Sequence, residues 1–381
     1  MGDVGIKVAL NPVPRAGGDG RGGVETRDVG STARTDAGGG QTFRPEAGGV
    51  ELAFIVENGD EQAIDVVLRP KQWEDYIGQE QVKKNLRVII DAAKMRGEAV
   101  DHLLLYGQAG LGKTTLARLI AKELGGTIKT TSGPAIEKVG DLAAILSNLE
   151  EGEILFIDEA HRLNKMIEEV LYPAMESRKL HIVIGKGTGA RTISLDLPPF
   201  TLLAATTRVN LLSAPLRSRF GATFKLEYYS EENIKEIIER SAKILGMDVT
   251  EEGARILAKA SRYTPRVANR ILRRARDYME VHEEKKIDET VAKEVLDFLD
   301  IDSLGLESHD RNLLRAMVEK FGGGPVGIKT LAAVLNEDGP TLEEVYEPYL
   351  MKLGFIKRTP TGRVIGESAR KHLGLPPDKL V

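Results

Sequence analysis

The sequence predicts an α/β protein in which a parallel-sheet domain is followed by a small helical domain and a third, C-terminal unit. Three apolar runs alternate with helix-like segments: HLLLYG (102–107), EILFID (153–158) and FTLLAATT (200–207). These runs are continuous rather than alternating, which is typical of strands buried on both faces of a parallel sheet. From residue 228 onward, helical periodicity replaces them.

Bulk composition limits the classes of function. The chain has 381 residues, 41% of them hydrophobic, which is enough for two or three domains with cores of their own. The net charge of −4 indicates no global basic field, so nucleic-acid binding would need a local patch. The absence of cysteine excludes disulfides and thiolate zinc sites. No apolar run approaches about 18 residues, so we expect a cytoplasmic protein without a membrane segment.

Four segments are predicted along the chain. Residues 1–62 are Gly-rich, and we expect a disordered extension because they have little apolar surface to bury. The sheet domain is predicted at 63–227. Four amphipathic helices with Ser, Thr or Asp at their starts predict a helical domain at 228–302. Three short helices and the hairpin-like GFIKRTPTGRVIG form the last unit, 303–381.

A phosphate-binding loop is predicted at GQAGLGKTTLA (107–117), which fits G-x-x-x-x-G-K-[ST] between a buried strand and a helix. Its glycines allow backbone N–H groups to curl around phosphate oxygens, and the helix N-terminus adds a favourable field. Lys113 would reach the β- and γ-phosphates, and Thr114 would hold magnesium. The weaker alternative is a Gly-rich turn that only caps the helix.

Two carboxylates follow the next apolar run, in ILFIDEAH (154–161). The carboxyl end of this strand should lie beside the phosphate loop, where Asp158 can orient the magnesium shell and Glu159 can take a proton from attacking water. The alternative is a solvated acidic strand end. DEAH is also a signature of another helicase superfamily, but that superfamily needs two tandem sheet domains, and this chain has sequence for one.

Candidate contacts to the γ-phosphate lie at the end of the third apolar run and at the start of a helix in the helical domain. Thr206 or Thr207 could contact the phosphate or the water, although a plain strand-end threonine is nearly as common. Arg266 follows Pro265 at a helix start, where a cation opposes the helix dipole unless an anion compensates. A nucleotide between the two domains would be such an anion. A surface arginine is the alternative.

Two arginines, Arg217 and Arg219, lie in SAPLRSRFG (213–221), about ten residues after the third apolar run. Because Lys113 already serves the γ-phosphate, further cations are most useful for stabilising transition-state charge. If the pair cannot fold back onto its own site, it must complete that of a neighbour, which predicts a head-to-tail ring. The alternative is local pairing with carboxylates such as Glu227.

Nine stretches together resemble the RuvB family of AAA+ ATPases, which drive branch migration of Holliday junctions. The resemblance covers residues 64 to about 376 and includes non-catalytic segments. It implies an AAA+ P-loop sheet domain, a helical lid and a C-terminal winged helix. The stretches are LRPKQWEDYIGQEQVKKNL, DHLLLYGQAGLGKTTLA, TTSGPAIEKVGDLAAIL, LFIDEAHRL, EEVLYPAME, LDLPPFTLLAATTR, APLRSRFG, YTPRVANRILRRARDY and EPYLMKLGFIKRTPTGR.

The resemblance implies ATP or ADP with Mg²⁺ as the ligands. Thr114 and Asp158 are implied for the metal, and Arg219 is implied as an arginine finger. The residues implied in catalysis are Lys113, Asp158, Glu159, Thr207, Arg217 and Arg219. Those implied in nucleotide binding are Leu68, Arg69, Ile77, Gly78, Gly107, Gly110, Gly112, Lys113, Thr114, Thr115, Tyr229 and Arg266, with Arg219 and, near the subunit junction, Glu176, Ser177 and Arg178.

The sequence departs from the family's usual motifs at three places. Gln108-Ala109 replace the usual Pro-Pro of the phosphate loop, and Ala160 replaces the usual Ile after the two carboxylates. Neither change removes a catalytic group, although loop rigidity is expected to differ. ESRK (176–179) also departs from the typical acidic-aromatic continuation at the junction.

A hairpin is predicted at HIVIGKGTGARTISLDL (181–197), with a Gly-rich tip and exposed Ile193 and Leu195. In the family this hairpin docks RuvA, the junction-recognising partner. The alternative is an internal sheet edge.

The C-terminal unit resembles a winged helix whose third helix would usually read the major groove. That helix carries Glu343, Glu344 and Glu347, which we expect to repel phosphates. The cations lie on the wing instead: Lys357, Arg358 and Arg363. We therefore predict contacts to the DNA backbone with little sequence readout, or, in the alternative, solvated turn cations.

The leading functional hypothesis is an ATP-dependent DNA translocase that drives junction branch migration with RuvA and hands over to the resolvase RuvC, in recombination, repair and the SOS response. The expected assembly is a homo-oligomeric ring, a hexamer, acting on the duplex arms of a four-way junction. The alternative is a clamp loader or initiator that is switched by nucleotide but does not translocate. A remnant that only binds nucleotide is disfavoured because Lys113, Glu159 and Arg219 are all present.

Overall fold

The computed structural model describes residues 61–184 and 191–374. The extension predicted for residues 1–62 lies outside this part of the chain except for its last two residues, which begin a helix. Among the described helices, none is both long and apolar enough to cross a membrane.

The first domain, called the sheet domain below, is built on five parallel strands. Its strands and a separate hairpin are β1 (Leu103–Tyr106), β2 (Ile128–Ser132), β3 (Ile154–Asp158), β4 (Lys179–Ile184), β5 (Arg191–Asp196), β6 (Thr201–Thr206) and β7 (Ala222–Lys225). The order in the sheet is β2–β3–β6–β1–β7. The three predicted apolar runs are its inner strands, and nearly all of their residues are buried. The continuous apolar pattern therefore predicted the core strands correctly.

Helices cover both faces of this sheet. They are α1 (Glu61–Leu68), α2 (Glu80–Arg96), α3 (Lys113–Leu124), α4 (Val139–Ser147), α5 (Lys165–Ser177) and α6 (Ala214–Arg217). Successive strand residues point to opposite faces. Leu105 and Phe156 belong to one core with α2 and α3, whereas Leu104 and Leu155 belong to another with α4 and α5.

The second domain, the lid domain, consists of α7 (Glu231–Ile244), α8 (Glu251–Lys259), α9 (Pro265–His282) and α10 (Glu289–Phe298). Three of its helices begin at the predicted caps: Ser230, Thr250 and Asp288 each accept a backbone N–H in the first turn. Thr264, before α9, instead donates to the Ser261 carbonyl at 3.3 Å. The first core of the sheet domain continues into this lid, so the two domains share buried surface.

The third domain is a winged helix with a core of its own. Its elements are α11 (Ser308–Phe321), α12 (Ile328–Leu335), α13 (Gly339–Thr341), a π-helical turn (Leu342–Tyr346), α14 (Glu347–Lys352), β8 (Ile356–Thr359), β9 (Gly362–Ile365) and α15 (Glu367–His372). The predicted C-terminal hairpin is confirmed as the antiparallel pair β8–β9. The closing helix α15 was not predicted.

The hairpin predicted at 181–197 is confirmed as an antiparallel pair, in which Ile182 is opposite Ile193. It forms a two-stranded sheet separate from the central one, which excludes the alternative of an internal sheet edge. Ile193 and Leu195 are exposed as predicted, at 44% and 40%. The Gly-rich tip, 185–190, lies outside the described residues.

Candidate active site

A cavity of about 250 Å³ lies at the carboxyl edge of the central sheet, between the sheet domain and the lid. Most of the residues predicted for the nucleotide line it. They are Leu68, Arg69, Ile77, Gly110, Gly112, Lys113, Thr114, Thr115, Asp158, Glu159, Thr207, Tyr229 and Arg266. The structure therefore brings together groups that are up to about 200 residues apart in the sequence.

Several further lining residues were not predicted from the sequence as nucleotide contacts. They are Asp65, Pro70, Asp75, Ala109, Ile237, Arg240, Pro265 and Asn269. Arg240, for example, donates from a guanidinium N–H to the Leu68 carbonyl at 3.0 Å, which ties the lid to the end of α1. Helical spacing in the sequence places such residues on a helix but does not indicate that their side of it faces a cavity.

The phosphate loop leads into α3 without a side-chain cap. Gly112 is the N-cap, with a φ of 90° that favours glycine, and it has no side chain that could accept the first-turn N–H groups. A Cβ at this position would lie 2.9 Å from the Tyr76 hydroxyl oxygen. The first turn of α3 is thus left with backbone donors, which suits an anionic ligand.

Lys113 is a buried cation whose hydrogen bonds are to neutral groups. Its ammonium donates to the carbonyls of Gly107 and Gln108, at 2.8 Å each. Burial lowers the pKa of Lys113 to about 8, with a further lowering by Arg266, while Asp158 and Glu159 oppose the shift. A phosphate group would supply the negative charge that this lysine lacks.

Thr114 and Asp158 meet at the end of β3. The Thr114 hydroxyl donates to Oδ2 of Asp158 at 2.8 Å, and both side chains line the cavity. The other oxygen, Oδ1, accepts the backbone N–H of Glu159 at 2.9 Å. Glu159 has a left-handed φ of 49°, and its carboxylate lies 3.5 Å from a guanidinium nitrogen of Arg162. A hydroxyl and a carboxylate in contact are a suitable pair of oxygen donors for Mg²⁺.

Two tyrosines close the cavity behind the phosphate loop. The Tyr229 hydroxyl lies 3.3 Å from both the Tyr76 hydroxyl and the Leu111 carbonyl. Burial raises the pKa of both tyrosines, so both stay neutral donors. Gly78 lies against the Tyr229 ring, where a Cβ would come within 2.8 Å of Cε1. Gly78 and Gly107, which were also predicted to bind the nucleotide, are not among the residues that line the cavity.

The end of β6 distinguishes two candidate threonines. Thr207 lines the cavity. Thr206 is buried, and its hydroxyl lies 3.0 Å from Nδ1 of His161 and accepts the Arg208 backbone N–H at 3.0 Å. Burial lowers the pKa of His161. Only Thr207 is therefore positioned to meet a ligand directly.

The arginine pair and the predicted junction residues do not line the cavity. Arg219 donates to Glu176 at 2.9 Å and to the Pro215 carbonyl at 2.8 Å, and its guanidinium carbon lies 4.7 Å from the Tyr172 ring. Arg217 is exposed at the end of α6, and Glu176, Ser177 and Arg178 are exposed at the end of α5. Arg219 therefore does form a local ion pair within this chain, and its partner is Glu176. Glu227, the carboxylate suggested by the sequence, pairs with Lys225 instead.

The winged helix corrects the expectation that its third helix repels phosphates with three free carboxylates. Glu347 is buried and accepts Arg358 at 2.7 Å and Arg363 at 2.6 Å. Glu343 accepts Arg363 at 2.6 Å, and Glu344 pairs with Arg208 of the sheet domain. The wing arginines thus pair with two of the three carboxylates, and Arg208 pairs with the third.

The wing cations differ in how far they are available. Arg363 is 13% exposed and Arg358 45%, whereas Lys357 is exposed and has no ion pair among the described residues. Their role toward DNA stays a prediction.

Comparison with known proteins identifies the family. Three family models match consecutive segments: the Holliday junction DNA helicase RuvB P-loop domain (68–226), the RuvB AAA lid domain (229–302) and the RuvB C-terminal winged helix domain (303–374). The Holliday junction branch migration complex subunit RuvB of Fusobacterium nucleatum is 56% identical over 317 residues, which cover 83% of this chain and 96% of that protein. The chain belongs to the RuvB family.

Solved RuvB structures agree with this assignment. The Thermotoga maritima RuvB Holliday junction branch migration motor is 48% identical, with a TM-score of 0.75 over 81% of this chain and 99% of that chain. A single-substitution variant of the same protein gives a TM-score of 0.76 at the same identity and coverage. This chain therefore has the RuvB fold, with a P-loop sheet domain, a lid and a winged helix. Membership of this P-loop ATPase family implies that the chain binds nucleotide.

Proposed function

We propose that this protein is the ATP-driven motor subunit that moves four-way DNA junctions by branch migration. The observation that carries the proposal is the family match, which runs through all three domains in order rather than through the P-loop alone. The cavity between the sheet domain and the lid supports it, because it collects a phosphate loop, a pair of oxygen donors suited to Mg²⁺ and a carboxylate that can act on water. We also propose a cytoplasmic location for this activity.

ATP is proposed to bind with its phosphates on the loop before α3. Lys113 and the first-turn N–H groups of α3 supply positive charge, and Thr115 lines the same end of the cavity. Leu68, Arg69 and Ile77 would hold the adenine side, with Tyr229 and Arg266 approaching from the lid. Burial and the neighbouring cations Arg118 and Arg266 lower the pKa of Arg69.

Thr114 and Asp158 would hold Mg²⁺, to which their contact at 2.8 Å is suited. The ion, when bound, would neutralise phosphate charge.

Glu159 is proposed to act on water. Its carboxylate takes the proton as the water oxygen bonds to the γ-phosphorus, and the bond to the β–γ bridging oxygen breaks to give ADP and inorganic phosphate. Thr207 would orient the water or the γ-phosphate.

Arg219 is proposed as a finger for the neighbouring subunit. Its guanidinium lies outside the cavity of its own chain, beside Glu176. In a closed ring, here proposed as a hexamer, that surface can reach the next cavity, with Arg217 alongside and Glu176, Ser177 and Arg178 at the junction.

DNA and protein partners are proposed for two exposed hairpins. The wing would contact the DNA backbone, with Lys357 as its most available cation and Arg358 and Arg363 as further contacts. The β4–β5 hairpin would dock RuvA through Ile193 and Leu195, and RuvC is proposed as a further partner at the junction.

The domains are proposed to divide at 62/63, 227/228 and 302/303. The last two divisions fall between elements, since β7 ends at Lys225 before α7 begins at Glu231, and α10 ends at Phe298 before α11 begins at Ser308. The first falls two residues inside α1, which begins at Glu61.

The proposed activity is tested with a synthetic four-way junction, ATP and the protein, with and without RuvA. A branch-migration motor dissociates the junction only when ATP is hydrolysed and works better with RuvA. A clamp loader or initiator would hydrolyse ATP and leave the junction intact, which would refute the proposal. Lys113→Ala serves as the control without nucleotide turnover.

A further inference from the structure

The winged-helix domain contacts the sheet domain through an ion pair beside the cavity. Arg208, which directly follows Thr207, pairs with Glu344 of the π-helical turn. The Arg208 backbone N–H also donates to the Thr206 hydroxyl at 3.0 Å. The ion pair is therefore attached to the end of β6, one residue from the cavity lining.

A second contact joins the same domain to the lid. Arg262 pairs with Asp310 of α11 and donates from Nε to the Gly305 carbonyl at 2.7 Å. Its guanidinium carbon lies 5.2 Å from the Tyr349 ring. Asp310 is fully buried and Arg262 is 13% exposed, so this ion pair is buried in the interface between the lid and the winged helix.

The turn that carries Arg262 leads directly into the cavity. Arg262 and Tyr263 have φ values of 52° and 56°, in the left-handed region that non-glycine residues seldom occupy. The Tyr263 carbonyl accepts the Tyr229 backbone N–H at 3.1 Å. Helix α9 begins at Pro265, and Arg266 lines the cavity, so a displacement of Arg262 is passed to Arg266 over four residues.

The two contacts make the winged helix a bridge across the cleft. Thr207 belongs to the sheet domain and Arg266 to the lid, and the winged helix holds the segment next to each. A change in the angle between the sheet domain and the lid must therefore strain one of the two ion pairs or move the winged helix. Packed interfaces answer such strain by changing arrangement rather than by stretching continuously.

We propose that the Arg208–Glu344 and Arg262–Asp310 ion pairs couple DNA occupancy of the winged helix to nucleotide turnover in the cleft. The inference rests on the proposed function, since it takes duplex DNA as the ligand of the winged helix. Coupling between two binding equilibria acts in both directions, so nucleotide also alters DNA binding. Arg208 and Arg262 are positioning residues that act through Thr207 and Arg266.

The Arg208–Glu344 pair is the one to test. Its side chains are 33% and 39% exposed, so its removal leaves no buried charge, whereas removal of Arg262 would leave Asp310 buried and unpaired. We expect Glu344→Gln to keep the ATPase rate without DNA and to reduce its stimulation by saturating closed circular duplex DNA by about fivefold. The stimulation is the ratio of the ATPase rates with and without DNA. Because the DNA is saturating, a change in DNA affinity does not alter this ratio.

Two further variants separate coupling from simple loss of charge. Glu123→Gln removes an ion pair of similar exposure, 46% for Lys94 and 35% for Glu123, between α2 and α3, and should change neither rate. The charge swap R208E/E344R restores the pair in reverse and should recover most of the stimulation, whereas R208E and E344R alone should not.

Full DNA stimulation in Glu344→Gln, or a charge swap no better than its single substitutions, would overturn the inference. A wild-type protein without DNA stimulation would overturn it as well. A different result would refute the proposed function itself: a four-way junction that stays intact in the presence of the wild-type protein, RuvA and ATP.

Discussion

At the scale of single residues, Lys113 supplies the positive charge that phosphate binding needs, but its surroundings lower its pKa and so favour the neutral amine. It is buried, it donates to two carbonyls, and its pKa is lowered to about 8. Bound phosphate would raise this pKa again, because a nearby anion favours the protonated amine. Nucleotide binding and protonation of Lys113 are therefore linked.

We predict that the contribution of Lys113 to nucleotide affinity is full well below pH 8 and falls as pH rises through about 8. The protonated amine binds, and the free protein loses that proton through a pKa of about 8. Each further pH unit should weaken binding by up to about tenfold until the pKa of the bound state is reached. Calorimetric titration with ADP at pH 7 to 9.5, in buffers of different ionisation enthalpy, should show proton uptake near pH 8.5.

Lys113→Arg is the control for this prediction. Arginine keeps its charge across the range, so the variant should lose the pH dependence even if its affinity is lower. An unchanged slope in the variant would mean that another group causes the effect.

At the scale of secondary-structure elements, the seam between the lid and the loop after α1 depends on close contact. The Tyr229 ring, just before α7, packs on Gly78, just before α2, and its hydroxyl reaches the Leu111 carbonyl. Two backbone segments from different domains approach here because Gly78 has no side chain.

We predict that Gly78→Ala weakens nucleotide binding by about tenfold. The new Cβ would lie only 2.8 Å from Cε1 of Tyr229, so the ring must move away and the contact between the lid and the loop after α1 opens. Gly97→Ala is a matched control: its φ is 67° against 76° for Gly78, but nothing lies within 4 Å of the added Cβ. Both variants should lose about 1 kcal/mol of stability from the strained backbone. Equal nucleotide affinities in the two would refute the role of the contact.

At the scale of the whole molecule, the proposed active site is incomplete in one chain. Arg219 is held by Glu176 and stacks on Tyr172, away from the cavity lining. An arginine finger contributes about 10³ to 10⁵ in rate. The ring and the hydrolytic site are thus proposed to form together.

We predict that Arg219→Ala retains nucleotide binding and loses at least about a thousandfold in ATPase rate. Mixing it with Lys113→Ala should restore part of the activity, because the Lys113→Ala chain can lend Arg219 to an intact neighbouring site. The steady-state ATPase rate is measured as the mixing ratio is varied. Each variant mixed with itself is the control, and a silent mixture would contradict a finger that acts in trans.

The sequence predicted the elements whose pattern is set by burial on both sides. Strands β1, β3 and β6 are continuous apolar runs, and the lid helices show helical spacing with caps. The edge strands β2 and β7 were not predicted, because IKTTS and ATFK are only partly buried and carry no such pattern. The same holds for α15, which is short and carries few apolar residues.

Short motifs along the chain determined the phosphate loop, the assignments of Thr114, Asp158 and Glu159, and the family, because each motif consists of residues a few positions apart. Tertiary structure alone decided that Arg240 and Asn269 line the cavity, that Glu347 neutralises the wing arginines, and that Glu344 and Asp310 bind segments beside the active site. The physical reason is that side-chain charges pair with whatever the fold brings within reach, and that distance in space is independent of distance in sequence.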